Sequence, residues 1–273
     1  MTTAVVGAGW LGTPIANACP GDVVATTRSG RRPDALADRV DIAALELLAD
    51  PIALGPLARV DAWLVAIAPG RDQDRRTLYV DGAQRLLATL PTTTVRRVVW
   101  IGSTSALPDT DAVLDETCDA WPDEPRGRIQ REAEAAVARA CDTAGVPWMI
   151  LRMGGLYGPG RELGRIFAGT DRSRDGDRAT NLVHRDDAVT AAVAALDSGR
   201  TGIVHVVADD HCARRVMIDA ARACAGLAPA EWAGPPAAIP HGKRVANARL
   251  SDWLGVRLQH PRHGPLATPQ AGA

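Results

Sequence analysis

Residues 3–12 read T-A-V-V-G-A-G-W-L-G, a short apolar run that leads directly into three closely spaced glycines. The apolar run predicts a β-strand over 3–6, and the pattern after it predicts a helix over about 11–19. Apolar runs and helical patterns then alternate, with strands at 23–26, 62–68, 97–102 and 146–151 and helices at 75–90 and 129–144. Strands spaced by helices indicate β-α-β units, and hence an α/β fold with a doubly wound parallel sheet.

The glycines of the opening stretch form the pattern G-x-G-x-x-G between a strand and a helix. Gly7 permits a tight turn, Gly9 lets backbone approach a pyrophosphate, and Gly12 lets the helix lie close to the strand. Plain glycine turns share the pattern, but its place at the start of an alternating α/β chain is the context that dinucleotide binding requires. The residues predicted to hold the dinucleotide here are Gly7, Gly9, Trp10, Leu11 and Gly12.

The composition is that of an ordinary globular protein. The 273 residues are 46% hydrophobic and 23% charged, and 31 basic residues nearly balance 32 acidic ones, for a net charge of −1. These values exclude a disordered chain. The near-neutral balance gives no electrostatic reason to expect nucleic acid or an anionic membrane as partner. We expect neither of them as a partner.

The sequence carries no pattern for export, membrane insertion or metal binding. No apolar stretch approaches the roughly 20 residues that cross a bilayer, and the N-terminus lacks the layout of a secretory signal. The five cysteines are scattered without a C-x-x-C pair, which argues against disulfides and zinc. His211 and Cys212 are adjacent, but no second pair completes a metal site. We expect a cytoplasmic protein without a bound metal.

The composition and the length of the predicted elements change after about residue 151. From there on, loops rich in Gly and Arg surround shorter helices and strands. We predict a dinucleotide-binding domain over 1–151 and a smaller C-terminal substrate lobe over 152–266. The lobe is expected to be interwoven with the sheet, so that the two form one compact unit. Residues 267–273 are expected to be a loose tail.

The residues after the second predicted strand bear on the choice of coenzyme. An NAD site usually carries Asp or Glu there, where the carboxylate accepts a hydrogen bond from the ribose 2′-hydroxyl. Here the chain reads T-T-R-S-G-R-R over 26–32, and the nearby acid Asp22 precedes the strand. A guanidinium can hold a 2′-phosphate, whereas a carboxylate repels it. We predict NADP(H), with Arg28 and Ser29 as first contacts and Arg31 or Arg32 in support. The alternative is a solvated basic loop.

Six ordered blocks, spread over nearly the whole chain, resemble one protein family. They are G-A-G-W-L-G (7–12), V-V-W-I-G-S-T-S (98–105), R-G-R-I-Q-R-E-A-E (126–134), I-L-R-M-G-G-L-Y-G-P-G-R (150–161), N-L-V-H-R-D-D-A (181–188) and K-R-V-A-N-A-R-L (243–250). The chain resembles the extended short-chain dehydrogenase/reductase superfamily, in its NAD-dependent epimerase/dehydratase group and the atypical YeeZ-like branch. The resemblance implies a Rossmann domain for the cofactor, a C-terminal substrate lobe, and an active site between them. It also implies a homodimer that pairs through helices, here 75–90 and 129–144.

The resemblance breaks at the residues that move protons. Typical active members use a Ser or Thr after the fifth strand and a Y-x-x-x-K helix, in which Lys lowers the pKa of Tyr and holds the nicotinamide ribose. Ser103 falls on the Ser position, and Thr104 follows it. Arg126 falls on the Tyr position and Gln130 on the Lys position. No Y-x-x-x-K occurs anywhere, because the two tyrosines are followed four residues later by Ala and Arg.

These two substitutions change the chemistry that the family site can perform. Arginine stays protonated, with a pKa above roughly 12, so Arg126 cannot shuttle a proton near neutral pH. It can still stabilise an oxyanion or anchor a carboxylate. Gln130 can hydrogen-bond a ribose hydroxyl but cannot depress a neighbour's pKa. We predict catalytic roles for Ser103, Thr104 and Arg126 and a cofactor-binding role for Gln130.

The resemblance also indicates the remaining contacts. Ala68 and Pro69, at the end of the strand predicted over 62–68, are expected to border the ribose of the cofactor. The candidates for substrate binding are Tyr157, Arg161, Asn181 and His184. Loop packing is the alternative for Tyr157 and a turn for Asn181, while for His184 a substrate or structural role is favoured over a catalytic one. Asp186 or Asp187 is expected to cap the helix that follows.

These observations favour an NADP(H)-dependent oxidoreductase that transfers hydride to or from a C=O or C=N group of a small polar metabolite. An iminium substrate suits the site, because it already carries the proton that the missing pair would supply. The missing Tyr-Lys pair leaves open a redox sensor or scaffold that binds NADP(H) without turnover. A third hypothesis is an epimerase or dehydratase that retains its nicotinamide.

Overall fold

The computed structural model describes residues 1–70, 72–169 and 175–265. The strands are β1 (Thr3–Val6), β2 (Val23–Thr27), β3 (Asp41–Ala44), β4 (Ala62–Val65), β5 (Arg97–Ser103), β6 (Val113–Leu114), β7 (Trp148–Met153), β8 (Gly155–Tyr157), β9 (Leu182–His184), β10 (Gly202–Val206) and β11 (Arg244–Val245). The α-helices are α1 (Gly12–Ala18), α2 (Gly82–Ala88), α3 (Pro125–Ala144), α4 (Leu163–Ala168), α5 (Arg185–Asp197), α6 (Arg214–Cys224) and α7 (Ala248–Leu254). Two 3-10 turns (Gly55–Arg59 and Thr104–Ala106) and a π-helical turn (Thr77–Asp81) complete the set.

Seven strands form one parallel sheet in the order β10-β7-β5-β4-β1-β2-β3. This confirms the predicted α/β fold with a doubly wound parallel sheet. The chain reverses its direction of travel across the sheet between β1 and β4, and ligands of open α/β sheets bind outside the carboxyl ends of the strands at such a switch point. The remaining strands form two small pairs, β6 with β11 and β8 with β9.

Helices cover both faces of the sheet, because its strands are apolar on both sides. One core lies between the sheet and helices α1 and α5, and includes Ile15 and Ala188. The other lies between the sheet and helices α2 and α3, and includes Trp63, Leu86 and Val137. Within the described ranges, no helix combines the length and apolar character needed to cross a bilayer.

Two strands of the sheet were not predicted. β3 reads D-I-A-A, and this apolar run is too short to predict a strand. The strand is identified by its pairing with β2. β10 lies beyond residue 151 and pairs with β7, so a segment of the C-terminal half belongs to the central sheet. The division into domain and lobe stays a prediction, and the tail at 267–273 lies outside the described residues.

Several element bounds differ from those predicted. The helix expected over 129–144 begins at Pro125, because proline suits a first turn whose N–H groups have no partner within the helix. The strand expected over 62–68 ends at Val65. Residues 66–70, which follow it, line a cleft that is described below. The helix expected over 75–90 is present, with the π-helical turn in its first half and α2 in its second.

A buried ion pair joins α3 to the sheet. The guanidinium of Arg152 on β7 is fully buried and donates to both carboxylate oxygens of Glu134 on α3, at 3.0 and 2.8 Å. Burial lowers the pKa of His205 to about 4, so its ring is neutral near pH 7. Its Nε2 lies 3.4 Å from Arg152, and its Nδ1 lies 3.0 Å from the carbonyl oxygen of Ala246. This network holds α3 against β7 and β10. The first turns of α3 line the cleft that is described below.

Candidate functional site

A cleft of about 1020 Å³ opens at the carboxyl ends of β1, β4 and β5. Most of the residues predicted from the sequence line it: Gly7, Gly9, Trp10, Leu11, Arg28, Ala68, Pro69, Ser103, Arg126, Gln130 and Arg161. Ser29 and Arg31 line a smaller pocket of about 310 Å³ that shares Thr27 with the cleft. The predicted residues outside both linings are Gly12, Thr104, Tyr157, Asn181 and His184.

The turn after β1 is packed so closely that side chains are excluded from it. Gly7 has a φ of +97°, and a Cβ there would lie 2.8 Å from the carbonyl oxygen of Ala66. A Cβ on Gly12 would lie 2.0 Å from the carbonyl oxygen of Gly7. By contrast, a Cβ on Gly9 would meet no atom within 4 Å, because Gly9 faces the open cleft. The turn therefore offers bare backbone to a ligand, as a pyrophosphate site requires.

Basic residues follow β2 at one end of the cleft. The side chain of Arg28 is 70% exposed, and its Nε lies 4.0 Å from Oε2 of Glu46. An exposed ion pair of this length contributes little, so Arg28 is available to a ligand. Arg32 donates instead to the carbonyl oxygens of Leu36, Ala37 and Val40. Both supporting arginines proposed from the sequence line the small pocket, and Arg32 also has this structural role.

Trp10 joins the glycine turn to the loop after β8. Its Nε1 donates to the carbonyl oxygen of Pro159 at 2.9 Å, and the guanidinium of Arg161 lies 4.3 Å from the centre of its ring. Such a cation is attracted by the face of an indole. These contacts hold Arg161 at the cleft, where it is one of the lining residues.

Ser103, the last residue of β5, lines the cleft at its other end. Its Oγ accepts hydrogen bonds from the N–H and the hydroxyl of Ser105, at 3.2 and 3.0 Å. Because both lone pairs of Ser103 are occupied in this way, its own hydrogen is free to be donated to a ligand. Thr104 is buried and does not line the cleft, so the geometry does not support its predicted catalytic role. Ser105 was not among the predicted site residues, although it is the last residue of the block 98–105.

Arg126 and Gln130 lie one turn apart at the start of α3, and both line the cleft. Gln130 is only 5% exposed, and its Oε1 has no hydrogen-bond partner in the part of the chain that the structure describes. A buried acceptor without a partner costs about 1–3 kcal/mol. A ribose hydroxyl would supply the missing donor. Together with the bare glycine turn, this orphaned oxygen fits a nicotinamide dinucleotide.

The structure adds Tyr79, which was not predicted, to the cleft lining. Tyr79 lies in the π-helical turn, which packs against α3. Burial raises the pKa of its phenol, and the charges of Arg75 and Arg126 and a hydrogen bond with Gln130 oppose that rise. No local pattern marks this residue, because helix packing alone brings it beside α3. The scarcity of tyrosine, with two in the chain, is the one signal that could have drawn attention to it.

Tyr157 and His184 lie away from the cleft, in contact with each other. Their rings meet edge to face at 5.1 Å, and the Tyr157 hydroxyl is buried without a hydrogen-bond partner among the described residues. Burial raises the pKa of Tyr157 to about 12. Nδ1 of His184 accepts the backbone N–H of Asp186 and so caps α5. The predicted cap at Asp186 or Asp187 is therefore wrong. The structure gives Tyr157 a packing role and His184 a capping role, and their substrate contacts stay predictions.

Asn181 also lies outside the cleft, with its amide occupied at both ends. Its Nδ2 donates to the carbonyl oxygen of Lys243 at 2.9 Å, and its Oδ1 accepts the N–H of Val245 at 2.8 Å. Nζ of Lys243 donates in turn to the carbonyl oxygens of Thr104 and Leu107, at 3.0 and 2.9 Å. The block 243–250 therefore fastens the C-terminal segment to the loop after Ser103. This geometry does not support the predicted substrate role of Asn181.

Two groups of metal-ligating side chains lie away from the cleft. His184, Asp186 and His260 offer ligand atoms within 4.8 Å of one another, but Nδ1 of His184 is engaged in capping α5. The adjacent His211 and Cys212 are each turned toward a neighbouring oxygen of the protein. We assign no metal to either group.

Comparison with known proteins agrees with this geometry. The model of the NAD dependent epimerase/dehydratase family matches residues 5–208. Protein YeeZ of Escherichia coli (strain K12) is 30% identical over 275 residues, which cover 97% of this chain and 98% of that protein. The 3-diazoavenalumate denitrifying reductase of a Streptomyces species is 30% identical over 209 residues, which cover 72% of this chain and 62% of the reductase.

Solved structures share the fold. The UDP-glucuronic acid 4-epimerase of Bacillus cereus in complex with NAD superposes with a TM-score of 0.77 at 18% identity, over 95% of this chain and 94% of that one. At this level of identity the superposition shows that the two proteins share a fold, and the family model covers more than half of this chain.

Proposed function

Because the chain belongs to the NAD-dependent epimerase/dehydratase family, we propose that it is an NADP(H)-dependent oxidoreductase acting on a C=O or C=N group of a small polar metabolite. The observation that carries the proposal is one cleft that joins the glycine turn to Ser103, Arg126 and Gln130. A dinucleotide that lies along this cleft reaches the serine that the family uses to orient a substrate. The name of the Streptomyces relative, a reductase, agrees with hydride chemistry.

The residues that would hold the cofactor are distributed along the cleft. The backbone of 7–12 would hold the pyrophosphate, with Ala68 and Pro69 beside a ribose, and Gln130 Oε1 would accept from a ribose hydroxyl. Arg28, Ser29 and Arg31 would bind a 2′-phosphate. When bound, NADPH supplies hydride.

The substrate end of the cleft is polar and cationic. Ser103 donates its free hydrogen to the heteroatom of the substrate, and Arg126 offsets the negative charge that develops there. Arg161, held by Trp10, binds an anionic group of the substrate. This set of donors favours a small metabolite with an acidic or phosphorylated group.

Replacing Arg28 by alanine should weaken NADPH binding by roughly 10–100-fold and leave NADH binding unchanged, because a charge-assisted hydrogen bond contributes about 1.5–3 kcal/mol. Fluorescence titration of the wild type and the variant with both coenzymes measures this. Glu46→Gln is the matched control, since it removes the carboxylate beside Arg28 and should leave NADPH affinity equal or higher. NADH binding to the wild type as tightly as NADPH would contradict the assignment.

The oxidoreductase activity itself can be tested by the loss of NADPH absorbance in the presence of keto acids, imines and nucleotide-sugars. We expect turnover of at least one class, and a fall of roughly 10²-fold or more in kcat for Ser103→Ala, because that variant loses a hydrogen-bond donor to the developing charge. Dinucleotide binding without turnover on any substrate would favour the sensor hypothesis instead.

A further inference from the structure

The proposed reduction of a carbonyl needs a proton donor, and the residues at the family positions cannot supply one. Arg126 holds its proton at all relevant pH values, and Gln130 has no acidic proton. Loss of a positioned acid costs about 10²–10⁴-fold in rate. A carbonyl reductase built on this cleft therefore requires a donor from another element.

The residues that line the cleft limit which side chain can be the proton donor. Among the described side chains that line the cleft, those with an acid group that can exchange a proton are Tyr79, Glu46 and Asp72. Carboxylic acids are ordinarily deprotonated near neutral pH, and Glu46 lies beside Arg28 at the opposite end of the cleft. The other tyrosine, Tyr157, does not line the cleft, and Nζ of Lys243 is engaged by two carbonyl oxygens. Tyr79 is the remaining candidate.

We propose that Tyr79, on the helix that precedes β5, is the proton donor that takes the place of the missing family tyrosine, and that the substrate is a carbonyl compound. The inference rests on the proposed function, since it assigns a residue to the same cleft.

The surroundings of Tyr79 support this role. Tyr79 shares the lining with Ser103, Arg126 and Gln130, and the neighbours that act on its phenol include Arg75 from its own helix and Arg126 and Gln130 from α3. Gln130 and Arg126 occupy the family positions of Lys and Tyr, so the phenol reaches the same part of the cleft from a different helix. Tyr79 is also at the middle of a π-helical turn, and such turns are rare and frequently lie at functional sites.

The proton transfer balances in a single step. As hydride from NADPH adds two electrons to the carbonyl carbon, the π-electron pair of the C=O bond moves to oxygen, and that oxygen takes the proton of the Tyr79 hydroxyl. The O–H bond of Tyr79 breaks, a new O–H bond forms on the product alcohol, and solvent then returns a proton to the phenolate. Burial disfavours the transient phenolate and raises the pKa of Tyr79, and the charges of Arg75 and Arg126 offset part of that effect.

Tyr79→Phe should lower kcat for the carbonyl substrate by about 10²–10⁴-fold and leave the Kd for NADPH within a few-fold of the wild type. In the wild type, reduction should fall as pH rises through the pKa of Tyr79, because the phenolate has no proton to donate, and this limb should be absent in the variant. Asp81→Asn, an exposed change in the same π-helical turn, is the matched control and should keep full activity.

A second readout does not depend on activity. Because the chain has two tyrosines, selective ¹³Cζ-tyrosine labelling gives two NMR signals, and the one lost in Tyr79→Phe is that of Tyr79. Arg126→Ala should raise the pKa read from this signal, since it removes a nearby positive charge. Addition of NADP⁺ should shift the same signal more than that of Tyr157.

The outcomes separate the two proposals. If no carbonyl, imine or nucleotide-sugar is turned over with NADPH, the proposed function falls and the donor falls with it. If the wild type turns over a carbonyl and Tyr79→Phe keeps more than a third of its kcat, only the donor is overturned. A Tyr79 signal that is unchanged by both Arg126→Ala and NADP⁺ also overturns the donor, and turnover restricted to iminium substrates does the same.

Discussion

Glu134→Ala is expected to lower the free energy of unfolding by about 3–5 kcal/mol, the range found when one partner of a buried ion pair is removed. The variant leaves the guanidinium of Arg152, which has no exposed surface, without the carboxylate that accepts two of its hydrogen bonds. The neighbouring ring of His205 cannot compensate, because it is neutral and offers one acceptor atom at 3.4 Å. Urea unfolding followed by tryptophan fluorescence measures the loss.

Glu132→Ala provides the matched control on the same helix. Glu132 forms an ion pair with Arg76 at the protein surface, so its removal should cost less than about 1 kcal/mol. Replacing Glu134 and Arg152 together by apolar residues of similar volume should recover much of the stability lost in Glu134→Ala. Equal effects of Glu132→Ala and Glu134→Ala would show that the buried pair does not hold α3 to the sheet.

The second large effect is expected for Gly12→Ala, which should weaken dinucleotide binding by roughly 100-fold or more, equivalent to about 2.7 kcal/mol. The new Cβ would lie 2.0 Å from the carbonyl oxygen of Gly7, so the turn has to open and its backbone no longer fits a pyrophosphate. Isothermal titration calorimetry with NADPH measures the loss, and circular dichroism checks that the fold is retained.

Two further glycine variants separate the causes. Gly164 lies in α4 and does not line the cleft. A Cβ at this position would meet no atom within 4 Å, so Gly164→Ala should change neither binding nor fold. Gly9→Ala should leave the fold intact, since its Cβ also meets no protein atom, but should weaken binding because that Cβ enters the cleft. Wild-type affinity in both Gly9→Ala and Gly12→Ala would place the pyrophosphate elsewhere.

The fold class and the closely packed glycine turn after β1 could be predicted from the sequence, because both depend on local patterns. A strand, a glycine turn and a helix follow one another in the chain, so residues 3–12 were enough to locate the glycine turn. The substitution of the family's Tyr-Lys pair by Arg126 and Gln130 was visible for the same reason, since one helix carries both positions.

The sequence alone therefore determined the features that depend on residues close together in the chain. These are the α/β alternation, the glycine turn and the absence of the Tyr-Lys pair. Tertiary structure decided everything that depends on which elements pack together. It brought Tyr79 to α3, turned Asn181 toward the 243–250 block, and used His184 to cap α5. The physical reason is that a side chain's partners are set by burial and helix packing across the sheet, which no spacing along a single chain records.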